Sequence, residues 1–414
     1  MLRFGPACSK PLAEQGVRKG LTSVVGFGFN DVAGPWFWAF VALAVTLLSL
    51  LAGRSRASLV LALLNLGFCV LLVGGGSALV LLLALTLVHG ACRINSPMGR
   101  NAGMAAVVLG LLITFLVHKL QASDPEVQGN MRAVLAAIGM SYIFLRSIEY
   151  LRASFDGLTQ DLAFVDTINY LIPFHMLAAG PVLSFSDFKR QRAPFAPLSP
   201  SEALEGFERI ARGLFKKFVL ADGLIGTVFL NDFQAGGAYF WLEVQMYYLY
   251  IYLDFSAYSD IAVGIGRLLG VATPENFNRP LTARNIVVFW ERWHMSLSQF
   301  IRRNLFIPIQ LTGMRWTNGQ HGLLVSSFAF GVSFLLCGLW HGISLRFILW
   351  GVGHALALIV CNLYRDWLVK LLGLKGAAAF SKRPFVRVVA TVLTFEFVAL
   401  SLAFLVHPAM AFLD

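Results

Sequence analysis

The stretch ASLVLALLNLGFCVLLVGGGSALVLLLALTLVHGAC, residues 57–92, contains no charged residue. Gly74–Gly76 divide it into two apolar segments, each close to the roughly 20 residues that a helix needs to cross a bilayer. Helices in the core of a soluble domain are usually shorter and amphipathic. The stretch therefore predicts helices that are embedded in a membrane.

Apolar composition and a scarcity of charged residues extend along the chain. Of its 414 residues, 57% are hydrophobic and 13% are charged, whereas soluble domains are about a quarter charged. Further uncharged runs cover Val32–Gly53, Thr167–Ser186, His321–Leu345 and Phe347–Tyr364. We therefore predict an all-α, multi-pass membrane protein with about ten or eleven transmembrane helices.

The apolar runs and their breaks suggest an order of segments. We predict membrane segments at residues 34–52, 58–73, 77–90, 103–118, 131–150, 163–185, 213–231, 238–269, 323–342, 345–364 and 386–407. The segment at 238–269 is too long for one upright span, so it is tilted or broken near Asp254. Residues 187–202, with three prolines, are predicted to form a loop. Residues 1–130 would form an N-terminal scaffold, 131–365 the core, and 366–414 a loop with the last helix.

The net charge of +11 comes from short basic clusters between the apolar runs. In a membrane protein such clusters indicate loops on the cytoplasmic side. They do not form the single basic stripe of a nucleic-acid binder. We therefore expect contact with membrane lipids and no nucleic-acid partner.

The region from Pro274 to Pro308 is rich in both tryptophan and charge. On one continuous helix, Trp290, Trp293, Leu297 and Ile301 would share a face, with His294 beside them. An amphipathic helix of this kind is typical of a membrane interface or of a re-entrant pocket.

Common hydrolytic and nucleotide-binding motifs are absent: there is no Walker A loop, HExxH, GxSxG or GxGxxG. The remaining candidates are polar groups at membrane depth. His341 stands in an apolar run between Gly338 and Gly342, whose spacing lets another helix or a substrate approach closely. Buried there, it would serve as a general base or as a hydrogen-bond partner for a neighbouring helix. His294 would position a substrate, support the structure or act as a base.

Two carboxylates, Asp254 and Asp260, also lie in an apolar run. Charge inside a membrane segment faces the protein interior or a water-filled cavity. They would keep a funnel hydrated, fix a histidine tautomer, or simply pack helices together with a buried arginine.

Several motifs together resemble a known family. FWERWHMSLS (289–298) is followed by GLWHG (338–342), and they are preceded by AGP (179–181), LDFSAYSDIA (253–262) and PENFN (274–278). This order resembles the membrane-bound O-acyltransferase superfamily over roughly residues 136–365. The bacterial branch, with alginate O-acetyltransferases and the D-alanyl transfer proteins of teichoic acid modification, is the most similar. The chain departs from that branch at Arg302–Asn304 and at Ile309-Gln310.

The resemblance implies interfacial or re-entrant helices around a central tunnel, with His341 deep inside. His341 and His294 would be the catalytic residues. Side chains that line the tunnel or contact substrate would be Trp293, Trp340, Asp254, Asp260, Ser296, Asn276 and Arg292. No metal and no bound cofactor are expected. The acyl donor would be a thioester such as acetyl-CoA or an acyl carrier protein. Arg292 and Arg302–Arg303 would meet the phosphates of the carrier or, alternatively, anionic lipid headgroups.

The expected function is transfer of an acyl group, with acetyl the expected one, to hydroxyls of an exported or cell-envelope polysaccharide. A periplasmic acyltransferase partner would receive the group where transfer is indirect, and the location would be the bacterial cytoplasmic (inner) membrane. D-alanyl transfer to a teichoic acid-like polymer is an alternative. A more distant one is a proton-coupled transporter, which the tryptophan–histidine motifs and the absence of an obvious repeat of broken helices disfavour.

Overall fold

The computed structural model describes residues 34–54, 56–73, 75–94, 131–177, 179–191, 198–227 and 240–406, with a few isolated positions between 103 and 116. Within these ranges the regular secondary structure is helical, and turns and irregular segments connect the helices. The only extended pairing there is a single antiparallel bridge between Phe277 and Trp293. The prediction of an all-α protein is confirmed. The number of transmembrane helices stays a prediction.

Three short apolar helices begin the described part of the chain. They are α1 (Pro35–Leu50), α2 (Ala57–Val73) and α3 (Gly75–Ala91). Pro35 stands in the first turn of α1, where its missing N–H costs no hydrogen bond. Apolar helices thus lie at the segments predicted at 34–52, 58–73 and 77–90, and that they cross the membrane stays a prediction. The segment predicted at 103–118 lies mostly outside the described residues.

Next along the chain, α4 (Met131–Phe155) is followed by a folded-back region. That region contains α5 (Phe164–Leu171), a 3-10 turn (Phe174–Met176) and α6 (Phe185–Arg190). The prediction of one membrane segment over 163–185 is wrong as a continuous helix. Pro173 and Pro181 lack the N–H that a helix interior needs, so the helix ends before them.

Polar side chains satisfy this irregular backbone. Asn65 of α2 accepts a hydrogen bond from the Phe174 N–H (2.9 Å), and its amide nitrogen donates to Asn169 Oδ1 (3.0 Å). The buried Arg146 guanidinium donates to the Met176 carbonyl oxygen (3.1 Å). Non-helical backbone at membrane depth is tolerated only where protein or water satisfies its polar groups. These contacts explain how the chain folds back here.

Helix α7 (Pro200–Leu214) continues directly into a π-helix (Phe215–Gly226). It begins where Ser199 and Glu202 form a reciprocal capping box, with Pro200 in the first turn. The hydrogen bonds from Ser199 lower the pKa of the exposed Glu202 carboxyl. The boundaries predicted from sequence, a loop to residue 202 and a segment starting at 213, are therefore wrong.

Helix α8 (Phe240–Leu269) is a single 30-residue helix, so it is not broken near Asp254. The Asp254 carboxylate is met by the Lys217 ammonium group of the neighbouring π-helix at 2.6 Å. Because a side chain compensates the buried charge, the backbone of α8 stays regular.

The tryptophan-rich region is divided into short pieces. After a 3-10 turn (Pro280–Thr282) come α9 (Ile286–Trp290), α10 (Met295–Ile301), a short π-helix (Arg302–Phe306) and α11 (Ile307–Trp316). The prediction of one continuous helix through Trp290 and Ile301 is wrong. The chain turns at His294, which has a positive φ of 44°.

Three long apolar helices complete the described fold: α12 (Gly322–His341), α13 (Leu345–Lys382) and α14 (Pro384–Val406). Among the described residues, these three are long and apolar enough to cross a membrane. They confirm the segments at 323–342, 345–364 and 386–407. Helix α13 extends well beyond its predicted end and is kinked at Gly373.

Helices α12 and α13 approach each other closely through glycines. A Cβ atom on Gly338 would overlap the Phe347 carbonyl oxygen, and the Gly351 Cα would lie 3.5 Å away from it. The prediction that Gly338 permits close approach of another helix is confirmed.

We predict that Gly338→Ala destabilises the protein. The added methyl group must push α13 away from α12, which costs about 1–3 kcal/mol in a packed interface. Thermal unfolding in detergent, followed by loss of the monodisperse size-exclusion peak, measures the effect. Gly331→Ala on the same helix is the matched control, because a Cβ there meets nothing within 4 Å. Equal melting temperatures for the two variants would contradict the packing argument.

Candidate functional site

The site begins with the backbone turn that carries His294. The Asn278 N–H donates to the Arg292 carbonyl oxygen, and the Met295 N–H donates to the Asn276 carbonyl oxygen, both at 2.9 Å. These bonds pair residues 276–278 with residues 292–295. The backbone of His294 adopts the left-handed conformation, which costs a non-glycine residue about 1–2 kcal/mol. The surrounding contacts must therefore hold the turn.

Asn276 supplies most of that support. Its side chain is fully buried, and Oδ1 accepts from the Ser296 hydroxyl at 2.6 Å and from the Ser296 N–H at 3.3 Å. Its amide nitrogen donates to Ser259 Oγ of α8 at 3.3 Å. Ser296 Oγ in turn accepts from the Val182 N–H at 3.0 Å. Three separate parts of the chain thus converge directly behind His294.

The His294 imidazole is buried among aromatic rings. Its centroid lies 4.7 Å from Phe255, edge to face, and 6.4 Å from both Tyr142 and Trp340. Its Nε2 has no hydrogen-bond partner among the described residues. Since a buried ring nitrogen normally has one, this atom is available to water or to a substrate.

His341 lies on the other side of Trp340. Its ring centroid is 4.7 Å from that of Trp340, 5.3 Å from Trp350 and 6.3 Å from Phe347. The Trp340 ring contacts both histidines.

The prediction that His341 is buried is wrong, because its side chain is exposed. It is the last residue of α12, and Gly342 leaves the helix with an extended φ of −170°. His341 therefore lies at a helix end and is not covered by the neighbouring residues of the chain. His294, in contrast, is the buried member of the pair.

A third histidine lies nearby but has its hydrogen bonds satisfied. His354 Nδ1 accepts from the Trp290 indole N–H at 3.3 Å, which leaves Nε2 protonated to donate to Ser401 Oγ at 3.1 Å. The Ser401 hydroxyl donates onward to the Val398 carbonyl oxygen. His354 thus fixes Trp290 and links α9 to α14.

Sequence reasoning missed two residues of the site, Tyr142 and Phe255. Both contact the His294 ring, and Tyr142 also lies edge to face against Trp340 at 5.6 Å. Gly180 has a φ of +83°, and a Cβ there would lie 2.5 Å from the Tyr142 ring. The AGP motif was therefore the available signal, since its glycine allows the backbone to reach that ring.

Other candidates lie further from the histidines. Trp293 stacks on Phe289 at 5.5 Å and packs edge to face on Phe277 at 5.1 Å, behind the turn. Arg292 donates to Thr282 Oγ1 at 3.1 Å. Neither has a recorded contact with His294 or His341.

Asp254 and Asp260 form ion pairs between helices. Asp254 binds Lys217 at 2.6 Å, and Asp260 binds Arg209 and Lys216, each at 2.7 Å. Within the described residues, the ion-pair partners of both carboxylates are lysine and arginine side chains of a neighbouring helix, which supports the interpretation that they pack helices together. Within the described ranges, no three His, Cys, Asp or Glu side chains are grouped so that they could hold a metal ion.

The tryptophan–histidine arrangement is matched by a family model. The model of the membrane-bound O-acyltransferase family covers residues 111–401, which include every element described around the two histidines. The chain belongs to this family. It is therefore a membrane-embedded acyltransferase.

Individual relatives carry different names. The teichoic acid D-alanyltransferase of Bacillus subtilis is 28% identical over 71% of this chain and 74% of its own length. The probable alginate O-acetylase of Azotobacter vinelandii is 36% identical over 53% of this chain and 43% of its own. The peptidoglycan O-acetyltransferase of Helicobacter pylori is 34% identical over 49% and 38%. The chain thus spans less than half the length of the two O-acetylating relatives.

We predict that Asn276→Ala lowers both stability and activity. The change leaves the Ser296 N–H and hydroxyl without their acceptor, at a cost of about 1–3 kcal/mol, and it loosens the His294 turn. Thermal unfolding and acyl transfer per folded molecule measure the two effects. Asn278→Ala is the control, because the Asn278 side chain is exposed and only its backbone takes part in the pairing. Equal behaviour of the two variants would refute the positioning role.

We also predict that Asp254→Asn is destabilising but leaves the activity of the folded fraction intact. Removing one partner of a buried ion pair costs up to about 3 kcal/mol, and Lys217 would keep only the more exposed Asp222 carboxylate, at 3.1 Å. Glu208→Gln, which removes an exposed pair with Arg212 on α7, should cost under about 0.5 kcal/mol. Melting temperature and specific activity check both statements. Full stability with lost activity would instead place Asp254 in the reaction.

Proposed function

We propose that this protein transfers an acyl group from a thioester donor to hydroxyl groups of an exported or cell-envelope polysaccharide. The observation that carries the proposal is the meeting of His294 and His341 at the Trp340 ring, one buried and the other exposed. Acetyl is the proposed acyl group. Acetyl-CoA or an acyl carrier protein is the proposed donor, and the bacterial cytoplasmic membrane the proposed location.

His341 is the proposed general base. The acceptor oxygen attacks the thioester carbonyl carbon, a C–O bond forms, and the hydroxyl proton passes to the imidazole. The C–S bond then breaks, and the thiolate leaves with that proton. Such a base contributes about 10²–10⁴-fold to the rate. Exposure of the ring supports this role, since the base must reach an incoming hydroxyl.

His294 is the proposed positioning group. Its free Nε2 would hold the acceptor hydroxyl or the thioester carbonyl against His341. Ser296 next to it does not suit a nucleophile, because its hydroxyl already donates to Asn276 and accepts from the Val182 N–H. Cys337, one turn before His341, is buried against the α12–α13 contact. Direct transfer therefore fits the site better than a covalent acyl-enzyme.

The distribution of charge supports access from two sides. The four residues after His341 carry no charge, and the next residue, Arg346, is buried with its guanidinium bound to the Leu405 carbonyl oxygen, whereas the exposed Arg315 precedes the other end of α12. By the positive-inside rule, the His341 end of α12 faces away from the cytoplasm. We propose that the polysaccharide, or a periplasmic partner, approaches His341 there and that the donor enters from the cytoplasm through a tunnel.

The names of the relatives favour a cell-envelope polymer as acceptor, since they mention alginate, peptidoglycan and teichoic acid. D-alanyl transfer to a teichoic acid-like polymer is the second candidate. It is favoured by the Bacillus subtilis relative, which is matched over 74% of its length. Proton-coupled transport has no comparable support, because the family carries out acyl transfer.

We predict that His341→Asn abolishes transfer, with at least about a 100-fold loss of rate, while expression and folding stay normal. The measurement is acylation of envelope polymer in cells that carry the variant. His321→Asn is the matched control at the opposite end of α12. His321 is exposed with a positive φ of 56°, which asparagine tolerates. Wild-type acylation by the His341 variant would eliminate it as the base.

The acceptor and the acyl group are determined by ester analysis of envelope polymers from cells with and without the protein. Loss of O-acetyl esters from a polysaccharide supports the main proposal. Loss of D-alanyl esters supports the second candidate. No change in either ester would overturn both.

A further inference from the structure

A separate pocket forms where α13 folds back on itself. At Gly373 the backbone adopts a φ of 68° and a ψ of 169°, so that Leu374–Lys382 leaves the direction of the preceding helix. The turn at the kink is tight, because a Cβ on Gly376 would lie 2.9 Å from the Leu372 Cβ. Leu368 and Ala377 are buried in the contact.

Between the two halves lies an open pocket of about 700 Å³, and two of its lining side chains, Trp367 and Leu371, are more than half exposed. Its lining is mainly apolar and aromatic. Trp367 and Leu371 contribute from the first half, and Phe380 and Arg383 from the second. The Arg383 guanidinium lies 5.7 Å from the centre of the Phe380 ring. The pocket therefore combines an apolar interior with a cation at its edge.

The surroundings of this pocket are strongly basic. Residues 365–387 contain six Lys and Arg residues and a single carboxylate, Asp366. The exposed cations are Arg365, Lys370, Lys375, Lys382, Arg383 and Arg387. Among the described residues, only Arg365 approaches a carboxylate, Asp366 at 4.0 Å. Five cations thus have no carboxylate partner within those ranges, and the ligand that suits them is an anion.

The pocket also lies at a definite depth. It joins α13 and α14, which are both long and apolar enough to cross the membrane. A basic connection between two such helices faces the cytoplasm at the level of the lipid headgroups. Leu374 and Phe385, which are 77% and 78% exposed, flank the basic residues. Exposed apolar side chains beside cations are typical of segments inserted into the membrane interface.

From this combination we propose that the pocket binds an anionic phospholipid of the cytoplasmic leaflet. An acyl chain lies along Trp367, Leu371 and Phe380, and the phosphate contacts Arg383 and Lys382. The apolar interior distinguishes this site from one for a free phosphate, which needs no such wall. The site is remote in sequence from both histidines and does not depend on the proposed acyl transfer.

Native mass spectrometry of the full-length protein in detergent tests the proposal, with phosphatidylglycerol or phosphatidylcholine added as the probe. We expect phosphatidylglycerol to remain bound and phosphatidylcholine to bind more weakly. The double variant Lys382→Ala/Arg383→Ala should weaken phosphatidylglycerol binding, by roughly fivefold for each removed charge. The single variant Arg383→Lys should keep most of the affinity of the unmodified protein, because it leaves a cation at the phosphate.

Arg54→Ala/Arg56→Ala is the charge-matched control, since both arginines are exposed in the basic connection between α1 and α2. Its phosphatidylglycerol affinity should equal that of the unmodified protein. Melting temperatures verify that every variant is folded. Equal lipid binding by the two double variants would overturn the site. Displacement of the lipid by coenzyme A at equal concentration would also overturn it, because the pocket would then bind a soluble phosphate compound.

Discussion

The hydrogen bonds between Asn276 and Ser296 are the contact on which the arrangement of the site depends. They join the extended segment 276–278 to the first residues of α10. Two further hydrogen bonds reach the same pair of side chains: Asn276 donates to Ser259 Oγ, and Ser296 Oγ accepts from the Val182 N–H. All four groups are withdrawn from water, so each bond is costly to leave unmade. Together they force the chain into the left-handed turn at His294 and point its ring toward Trp340.

A second constraint comes from charge at membrane depth. Asp254, Asp260 and Glu149 are all buried, and each is met by a basic side chain from another element. Lys217 and Lys216 of the π-helix Phe215–Gly226 pair with Asp254 and Asp260. Arg303 pairs with Glu149 at 3.0 Å. Buried charges without partners would be very unfavourable. The ion pairs thus determine which helices lie side by side, while the histidines remain outside this network.

Much of the fold could be predicted from the apolar runs alone. The long apolar stretches located α1, α2, α3, α12 and α14 within a few residues, because helix formation there needs only length and apolar composition. The order of the tryptophan–histidine motifs also indicated the two histidines that the structure brings to one ring. Predictions failed where tertiary contacts override the local pattern. Helical periodicity in residues 290–301 gave no sign of the bend at His294, because the bend is imposed by pairing with residues 276–278.

The exposure of His341 also could not be predicted from the sequence. An apolar run shows that a residue lies in a membrane helix but not how far it is from the end of that helix. Here α12 ends at His341 itself, and the Phe347 ring occupies the space that a Cβ on Gly342 would need. The close α12–α13 contact and the exposed ring are two results of the same glycine-lined crossing.

Exposure of His341 affects how much of the acyl donor is used for transfer and how much is hydrolysed. A base that an acceptor hydroxyl can reach is equally open to water, and water is present at far higher concentration. In the proposed role, His341 would therefore also promote hydrolysis of the thioester whenever the polymer is absent. Efficient use of the donor then depends on the acceptor displacing water from the Trp340 ring. Binding of the polymer, and not only the reactivity of its hydroxyl groups, would decide whether an acyl group is transferred to the polymer or lost by hydrolysis.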